Sequence, residues 1–582
     1  MPYRTASVVG VLNRYLPFDA ASGGLYEEFA PQASDAPPSY RTPTLDFVLK
    51  ALEAASTRLV LLTGDAGHGK THLCRRVLEL GGGFDDDTAR AHLLAGDGSQ
   101  RLNLPRIGRR LRLVKDLSDK KPPAGARLLE DLLTDEDSVG LVCVNEGHLR
   151  AIVAESPDHL VELLDGLEES IAKGVTESTL GVRIVNLNYQ AAAPPGGGFL
   201  DHLISAWLGD GRRWTACRQC DASDGCPILS NQERLTAQSG AKDALLQVVR
   251  VAEQSGYVLT YREALFLVSY LVTGGLDCGM VAEIHSRRRG DLRDFDLVEL
   301  LFERTLAAAE AKNLRVLSRL RTYDPGLLPI RTVDEALLRE SGESDLDTTA
   351  DGQTRAQRKR AARRLRDEMR VRRRRAFFGE HTALDDDERA LRLGLRGYSD
   401  FVHVQSDDEN PTSMRIIVER VVRGLHVIQG VRVDDRSSLY LVDPAFTRAG
   451  CATSVIAATV PKNQLWLYGL HEYWLLTGEE GTRVDLIDAV DWLDREIVLC
   501  RGRDKPTELL RLDLLQFEYV VRSADGSSFP AFHAADRRRI LARLAKFAES
   551  SAEASAEIRF VSLGGIRTLT LEQDGSVEVH HG

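Results

Sequence analysis

Cysteine is scarce in this chain, with eight in 582 residues. That excludes the disulfide framework of a small secreted domain. No uninterrupted apolar run reaches the roughly 18 residues of a membrane span. The opening stretch MPYRTASVVGVLNRYLPFD also lacks the continuous apolar stretch of a signal peptide. These absences predict a cytoplasmic protein with no membrane partner. No self-similarity recurs at the roughly 20–50-residue period of a solenoid. The C-terminal third contains no Ser-His-Asp set, nuclease carboxylate cluster or H-E-x-x-H pattern, so it reads as an interaction domain.

What is present is the composition of an ordinary globular protein, 43% hydrophobic and 28% charged. At roughly 100–200 residues per domain the length suits three or four domains. The net charge is −11, unevenly distributed: residues 355–375 carry +10 and the remainder −21. An electrostatic grip on a polyanion is therefore expected to be local.

Apolar strands alternate with helical patterns over residues 46–215, which predicts an α/β fold: a parallel sheet with helices on both faces. Residues 1–45 read as an extended, proline-bearing wrap. A cysteine-bearing loop and a helical lid are expected over 216–333, and an acidic connector followed by a basic helix over 334–380. Residues 381–582 read as a mixed α/β domain, ending in a hairpin with Asp-Gly at its turn.

The most specific motif is GDAGHGKTH, residues 64–72. Gly64, Gly69, Lys70 and Thr71 fit the phosphate-loop spacing G-x-x-x-x-G-K-[ST] of P-loop nucleotide-binding proteins, between an apolar strand and a helix. Glycines let the backbone turn its N–H groups toward phosphates, and the helix dipole favours an anion there. The whole segment, Gly64, Asp65, Ala66, Gly67, His68, Gly69, Lys70, Thr71 and His72, is the expected ATP contact. Lys70 would reach the β- and γ-phosphates and the Thr71 hydroxyl would ligate Mg2+.

The strand VGLVCVNE ends in Asn145 and Glu146. It resembles the second acidic motif of P-loop ATPases, in which the first position holds Mg2+ through water and the next acid activates the attacking water. Asn145 has an oxygen but no charge, so slow hydrolysis is one expectation. Glu146 is the expected base. On VRIVNLNY either Asn186 or Asn188 can hold the water against the γ-phosphate, because strand alternation points both the same way; Asn188 is favoured. The set resembles AAA+ and related P-loop ATPases with an additional catalytic strand. That resemblance implies a lid arginine at the γ-phosphate, Arg262 or, less favoured, Arg293. It also allows an arginine from a neighbouring subunit in a homo-oligomer, Arg212 or Arg213.

Cys217, Cys220 and Cys226 are spaced C-x2-C-x5-C. Thiolates at that spacing suit a structural Zn2+, with Cys278 the expected fourth ligand and Asp221 or Asp224 as alternatives. The segment Arg355–Arg375 has helix-forming composition and a narrow apolar stripe of Ala361, Ala362, Leu365 and Met369. Contact with DNA phosphates and pairing with the acidic connector or an acidic partner are both open readings.

The order of phosphate loop, strand ending NEG, C-x-x-C…CP…N loop and YRE…YLVTGG-x-x-C resembles ATPase subunits of bacterial anti-phage defence. The resemblance is to the ATPase of phosphorothioation-dependent DNA restriction in particular, over roughly residues 58–305. It implies an ATP-using subunit of a multi-subunit, DNA-directed complex. Two other functions compete with that expectation: a nucleotide-gated scaffold with little turnover, and a nucleic-acid translocase.

Overall fold

The computed structural model describes the chain except residues 1–6, 17–36, 156–160, 163, 167, 169–174, 178–179, 238–239, 288–291, 305–314, 341–353, 380–383, 407–410, 432–436, 444–453, 478–488, 528–532, 552–556, 563–564, 572–575 and 582. Residues 341–353 of the acidic connector and the Asp-Gly turn therefore lie outside the described residues, while the connector's first residues, 334–340, are helical. The chain divides into two compact units. The first takes its described residues from 1–253, 257–393 and 481–493, and the second from 254–256, 394–480 and 494–582.

The first unit is built on a six-stranded sheet: β1 (Leu59–Thr63), β2 (Leu102–Leu104), β3 (Arg109–Val114), β4 (Ser138–Cys143), β5 (Val175–Glu177) and β6 (Val182–Asn186), in the order β2-β3-β4-β1-β6-β5. The four central strands pair in parallel, while β2 and β5 add antiparallel edges. The expected parallel sheet is thus found in its four central strands and corrected at its margins. Both edge strands are only three residues long, too short for period-two patterning to mark them.

Burial on both faces explains the near-continuous apolar sequence of β1, whose five residues are all buried. Leu59 and Leu61 join a core with Leu129 and Leu132 of α3 (Pro122–Thr134) and Leu149, Ile152 and Val153 of α4 (Glu146–Ala154). Helices α1 (Pro43–Glu53) and α2 (Lys70–Val77) pack against β1 and β4. Strand alternation places Val60 and Leu62 on that opposite face, so helices cover both sides. Thr42 caps α1 through its side chain and Pro43 starts it.

The N-terminal wrap is not extended throughout, since Ser7–Arg14 is a helix. It is tied down by the Asn13 amide, which donates to Leu276 O at 3.0 Å. The apolar stretch Tyr261–Ile284, with mean hydropathy 1.6, contains α5 (Tyr261–Thr273), a break at Gly274-Gly275 and a second helix, Cys278–Arg287. Nine consecutive or near-consecutive α5 positions from Ala264 to Thr273 are buried, and that accounts for its hydropathy.

Further along are α6 (Leu297–Phe302), α7 (Arg331–Glu340) and the basic helix α8 (Arg355–Phe377). A capping box between Thr354 and Gln357 starts α8. Leu365, Met369 and Ala376 of α8 pack on Val333, Leu337 and Leu338 of α7.

In the second unit, β7 (Ser438–Val442) and β8 (Ser454–Pro461) join the C-terminal strands β12 (Glu557–Ser562), β13 (Gly565–Leu571) and β14 (Val577–His581) in an antiparallel sheet. Three more strands, β9 (Leu465–Gly469), β10 (Glu496–Arg501) and β11 (Thr507–Asp513), form a second antiparallel sheet. Helices α9 (Pro411–Gln429), α10 (Leu514–Ala524) and α11 (Ala534–Ser551) pack with them.

The α9–α10 contact depends on a missing side chain. A Cβ on Gly424 would lie 2.1 Å from Val520 O, a backbone atom that cannot step aside by rotamer change. Gly424→Ala is expected to destabilise the second unit by roughly 1–3 kcal/mol or more. The check is the denaturant midpoint. An unchanged midpoint would mean that the two helices are free to move apart.

Candidate functional site

Four parallel strands end on the same side of the sheet, and the chain leaves each end into a loop. In open α/β sheets such carboxyl-end crevices hold ligands. Here the crevice is lined by the Gly64–Lys70 loop after β1, Asp116 and Ser118 after β3, Asn145 after β4, and Asn188 after β6.

The loop curls because Gly64, Gly67 and Gly69 have φ values of 125°, 104° and 77°. Gly67 is constrained by space as well, since a Cβ there would lie 3.0 Å from Thr260 Oγ1 and 3.1 Å from Arg262 Cβ. Gly69 is the N-cap of α2 and offers no side-chain cap. The first-turn N–H groups of Lys70, Thr71 and His72 therefore have no intrahelical acceptor and face the loop end with the positive end of the helix dipole. This geometry is suited to an anion.

The Lys70 ammonium turns back into the loop. It donates to Gly64 O at 2.6 Å, Asp65 O at 3.1 Å and Asn145 Oδ1 at 3.3 Å. Burial pulls its pKa down; Cys143, Asp116 and Asp65 push it back up, and Arg262 opposes them. The buried Cys74 and Cys143 sulfurs meet at 3.3 Å beneath the loop. Their hydrogen bond and burial push the Cys74 thiol well up, which disfavours a reactive thiolate.

The two asparagines left open by strand alternation have separate roles. Asn186 Oδ1 accepts from Asn188 N at 3.0 Å and shapes the 3-10 turn Leu187–Tyr189. Asn188 Oδ1 accepts from Asp65 N at 2.9 Å, so Asn188 is the one that meets the loop. His68 is buried and His72 lies 3.4 Å from Arg75.

Arg262 also reaches the loop. Its backbone N–H donates to Gly67 O at 3.1 Å. A capping box between Thr260 and Glu263 fixes this start of α5 against the glycines. Of the other arginines, Arg293 is in the 3-10 turn Leu292–Phe295, and Arg212 and Arg213 both pair with Asp210.

Glu146 is not drawn to Lys70. It occupies the first turn of α4 and accepts from Arg150, one turn on, at 3.3 Å. The carboxylate from another strand tip whose charge raises the Lys70 pKa is Asp116, after β3, a residue the sequence reading passed over. Strand order is the reason: β4 lies between β1 and β3, so its tip brings the neutral Asn145 to the lysine, and the acid comes from the strand beyond. Asp116 Oδ1 accepts from Ser118 N at 2.8 Å, and Ser118 Oγ accepts from Asn145 N at 3.2 Å, linking the two strand tips. The available signal was the strand RLRLV running into Lys115-Asp116. It was obscured by Arg112, which is buried yet paired with Asp131 and Asp135.

The cysteines converge without closing into a ligand set. Cys217 lies in the short helix Thr215–Arg218 and Cys226 caps the helix Pro227–Thr236. Burial, then the sulfurs of Cys278, Cys226 and Cys220, push the Cys217 thiol up to about 12. Burial pushes the Cys226 thiol up as well, and its side chain makes no capping bond to the helix it starts. Among the described residues, however, no group of three or more His, Cys, Asp or Glu is placed to hold a metal ion. The side chains as arranged do not fit a closed zinc site.

Compared with protein families, with curated proteins and with solved structures, the chain matches none. Its class is that of an α/β protein with a mostly parallel sheet flanked by helices and a Gly-rich loop at the carboxyl end of a central strand.

Proposed function

We propose that the first unit is a P-loop ATPase that binds ATP with Mg2+ at the Gly64–Thr71 loop and hydrolyses it. The observation that carries this reading is the Lys70 ammonium, held on Gly64 O, Asp65 O and Asn145 Oδ1 inside a loop of left-handed glycines. Phosphate oxygens are stronger acceptors for an ammonium than those neutral carbonyls, because their negative charge adds a Coulomb attraction to the hydrogen bond. In this reading the loop N–H groups and Lys70 hold the phosphates. Thr71 and Asp116 hold Mg2+, whose charge offsets that of the phosphates. Asn145 and Asn188 orient polar groups beside the γ-phosphate, and Arg262 brings the lid's charge to it. The setting we propose is the one the sequence resemblance implies, an ATP-using subunit of a DNA-directed bacterial defence complex.

A second reading, a nucleotide-gated switch with little turnover, is favoured by one observation: Glu146, the expected base, is engaged by Arg150. Steady-state ATP hydrolysis with and without duplex DNA separates the two. Lys70→Ala is expected to weaken ATP binding by roughly 10²-fold, the loss of charged hydrogen bonds, and to abolish turnover. Turnover lost in Glu146→Gln would mean that Arg150 releases the carboxylate in the reacting complex. Tight ATP binding with no turnover in the wild type supports the switch.

A further inference from the structure

Helix α8 has two electrostatically different halves. At its C-terminal end the cations are taken up within the first unit. Arg373 bonds Asp334 through two nitrogens at 2.7 and 2.8 Å, Arg374 bonds Asp324 at 2.8 and 2.6 Å, and Arg370 lies 3.5 Å from Glu303. At its N-terminal end the residues from Arg355 to Arg364 are all exposed, as is Arg366. Among the described residues none of Arg355, Lys359, Arg363 and Arg366 has an acidic partner.

At about 100° per residue, those four side chains fall within an arc of roughly 80° and span about 16 Å of helix. Arg370 and Arg373 fall on the same arc further along. One continuous cationic stripe is thus met by carboxylates over one half and, among the described residues, by none over the other. We propose that the exposed half, Arg355, Lys359, Arg363 and Arg366, docks on the phosphate backbone of duplex DNA.

Charge and shape both favour that occupant. A duplex presents one negative charge per roughly 1.7 Å of axis, and each phosphate neutralised by a cation releases counterions. Guanidinium forks match phosphate oxygens in pairs. No aromatic residue lies between Arg355 and Arg375, so the helix has no platform for stacking unpaired bases, which is the usual grip on a single strand. The docked half holds the stripe in place through buried ion pairs. The surface rests on the DNA-directed part of the proposed function and is independent of ATP turnover.

The test is binding of the full chain, without nucleotide, to a mixed-sequence duplex over a series of salt concentrations. The log–log salt slope of the wild type is expected to fall by about 3–4 when Arg355, Lys359, Arg363 and Arg366 are all changed to Gln, at about 0.9 per phosphate contact. A charge-keeping variant, Arg355→Lys with Arg363→Lys and Arg366→Lys, is expected to keep the slope, which separates lost charge from a lost fold. Lys70→Ala is expected to keep it as well. An unchanged slope in the Gln variant would overturn the surface while leaving DNA binding intact. Equal or tighter binding of a single strand or of polyglutamate would overturn the choice of duplex. Absence of salt-dependent binding in the wild type would overturn both the surface and the DNA-directed reading, and leave the ATPase reading to its own assay.

Discussion

Asparagine in place of Asp116 is expected to cut Mg2+-dependent ATP turnover by about 10²-fold, the upper end of what loss of a group supporting a bound metal costs. Mg2+ is a hard cation that keeps most of its waters and is held by one or two carboxylates beside the phosphates. Three side chains compete for that role. Asn145 is neutral and already bonded to Lys70, Glu146 is bonded to Arg150, and Asp116 is the strand-tip acid whose charge reaches the lysine. The substitution is nearly isosteric, and its amide oxygen can still accept from Ser118 N, so the turn after β3 should persist.

A pH signature accompanies the loss. Asp116 raises the Lys70 pKa against the lowering effect of burial. Removing its charge therefore lowers that pKa further, and the alkaline limb of ATP binding moves to lower pH. Turnover measured against Mg2+ concentration, together with ATP affinity against pH, checks both effects. Wild-type turnover in Asp116→Asn beside a dead Glu146→Gln would return the metal-side role to β4.

Asp116 shows what kind of information a sequence carries poorly. The phosphate-loop motif is legible because its chemistry is local: glycines, a lysine and a threonine at fixed spacing, with an apolar strand before and a helix after. Strand adjacency is set by how crossovers pack, and it is not written in any short segment. With β4 between β1 and β3, the strand ending in Asn-Glu and the strand ending in Lys-Asp exchange the places that their sequences suggest. Asn186 and Asn188 were undecided for a related reason. Period two holds only while the strand continues, and β6 ends at Asn186 in a 3-10 turn.

Long-range ion pairs and docked segments were equally hidden. Of the acids that neutralise the C-terminal half of α8, Asp334 belongs to the connector that the sequence pointed to, whereas Asp324 and Glu303 lie before it in the chain. The first unit also recruits residues from far down the chain. Asp491 accepts from Tyr40 Oη at 3.0 Å and from Gln190 Nε2 at 2.6 Å, and Trp492 stacks on Tyr189 at 5.8 Å. Burial raises the Asp491 pKa and those two donors lower it. A boundary drawn from composition at residue 381 has no means of returning residues 489–493 to the first unit, because nothing in their composition differs from their surroundings.

Breaking the Arg374 pair is expected to cost about 3–5 kcal/mol, the range for a buried ion pair that loses one partner. The Arg374 side chain is 0% exposed and that of Asp324 4%, so water screens neither. The guanidinium also lies 5.6 Å from the Phe302 ring centroid. Arg374→Met keeps much of the volume and leaves Asp324 charged, buried and short of its main partner; Arg370 is 3.6 Å away. Adding Asp324→Asn removes the stranded charge and retains an acceptor for Gly326 N, now bonded to Asp324 at 2.8 Å. The double variant should therefore recover most of the loss, whereas two independent losses would add. Denaturant unfolding of the wild type, both single variants and the double variant measures the coupling directly. If Arg374→Met fell within about 1 kcal/mol of wild type, the pair would be behaving as a solvent-screened surface bridge. The buried anchor also bears on the proposed duplex surface, because α8 carries its exposed half from this joint. Arg374→Met should flatten the salt slope of DNA binding although Arg374 touches no phosphate, and the double variant should restore it.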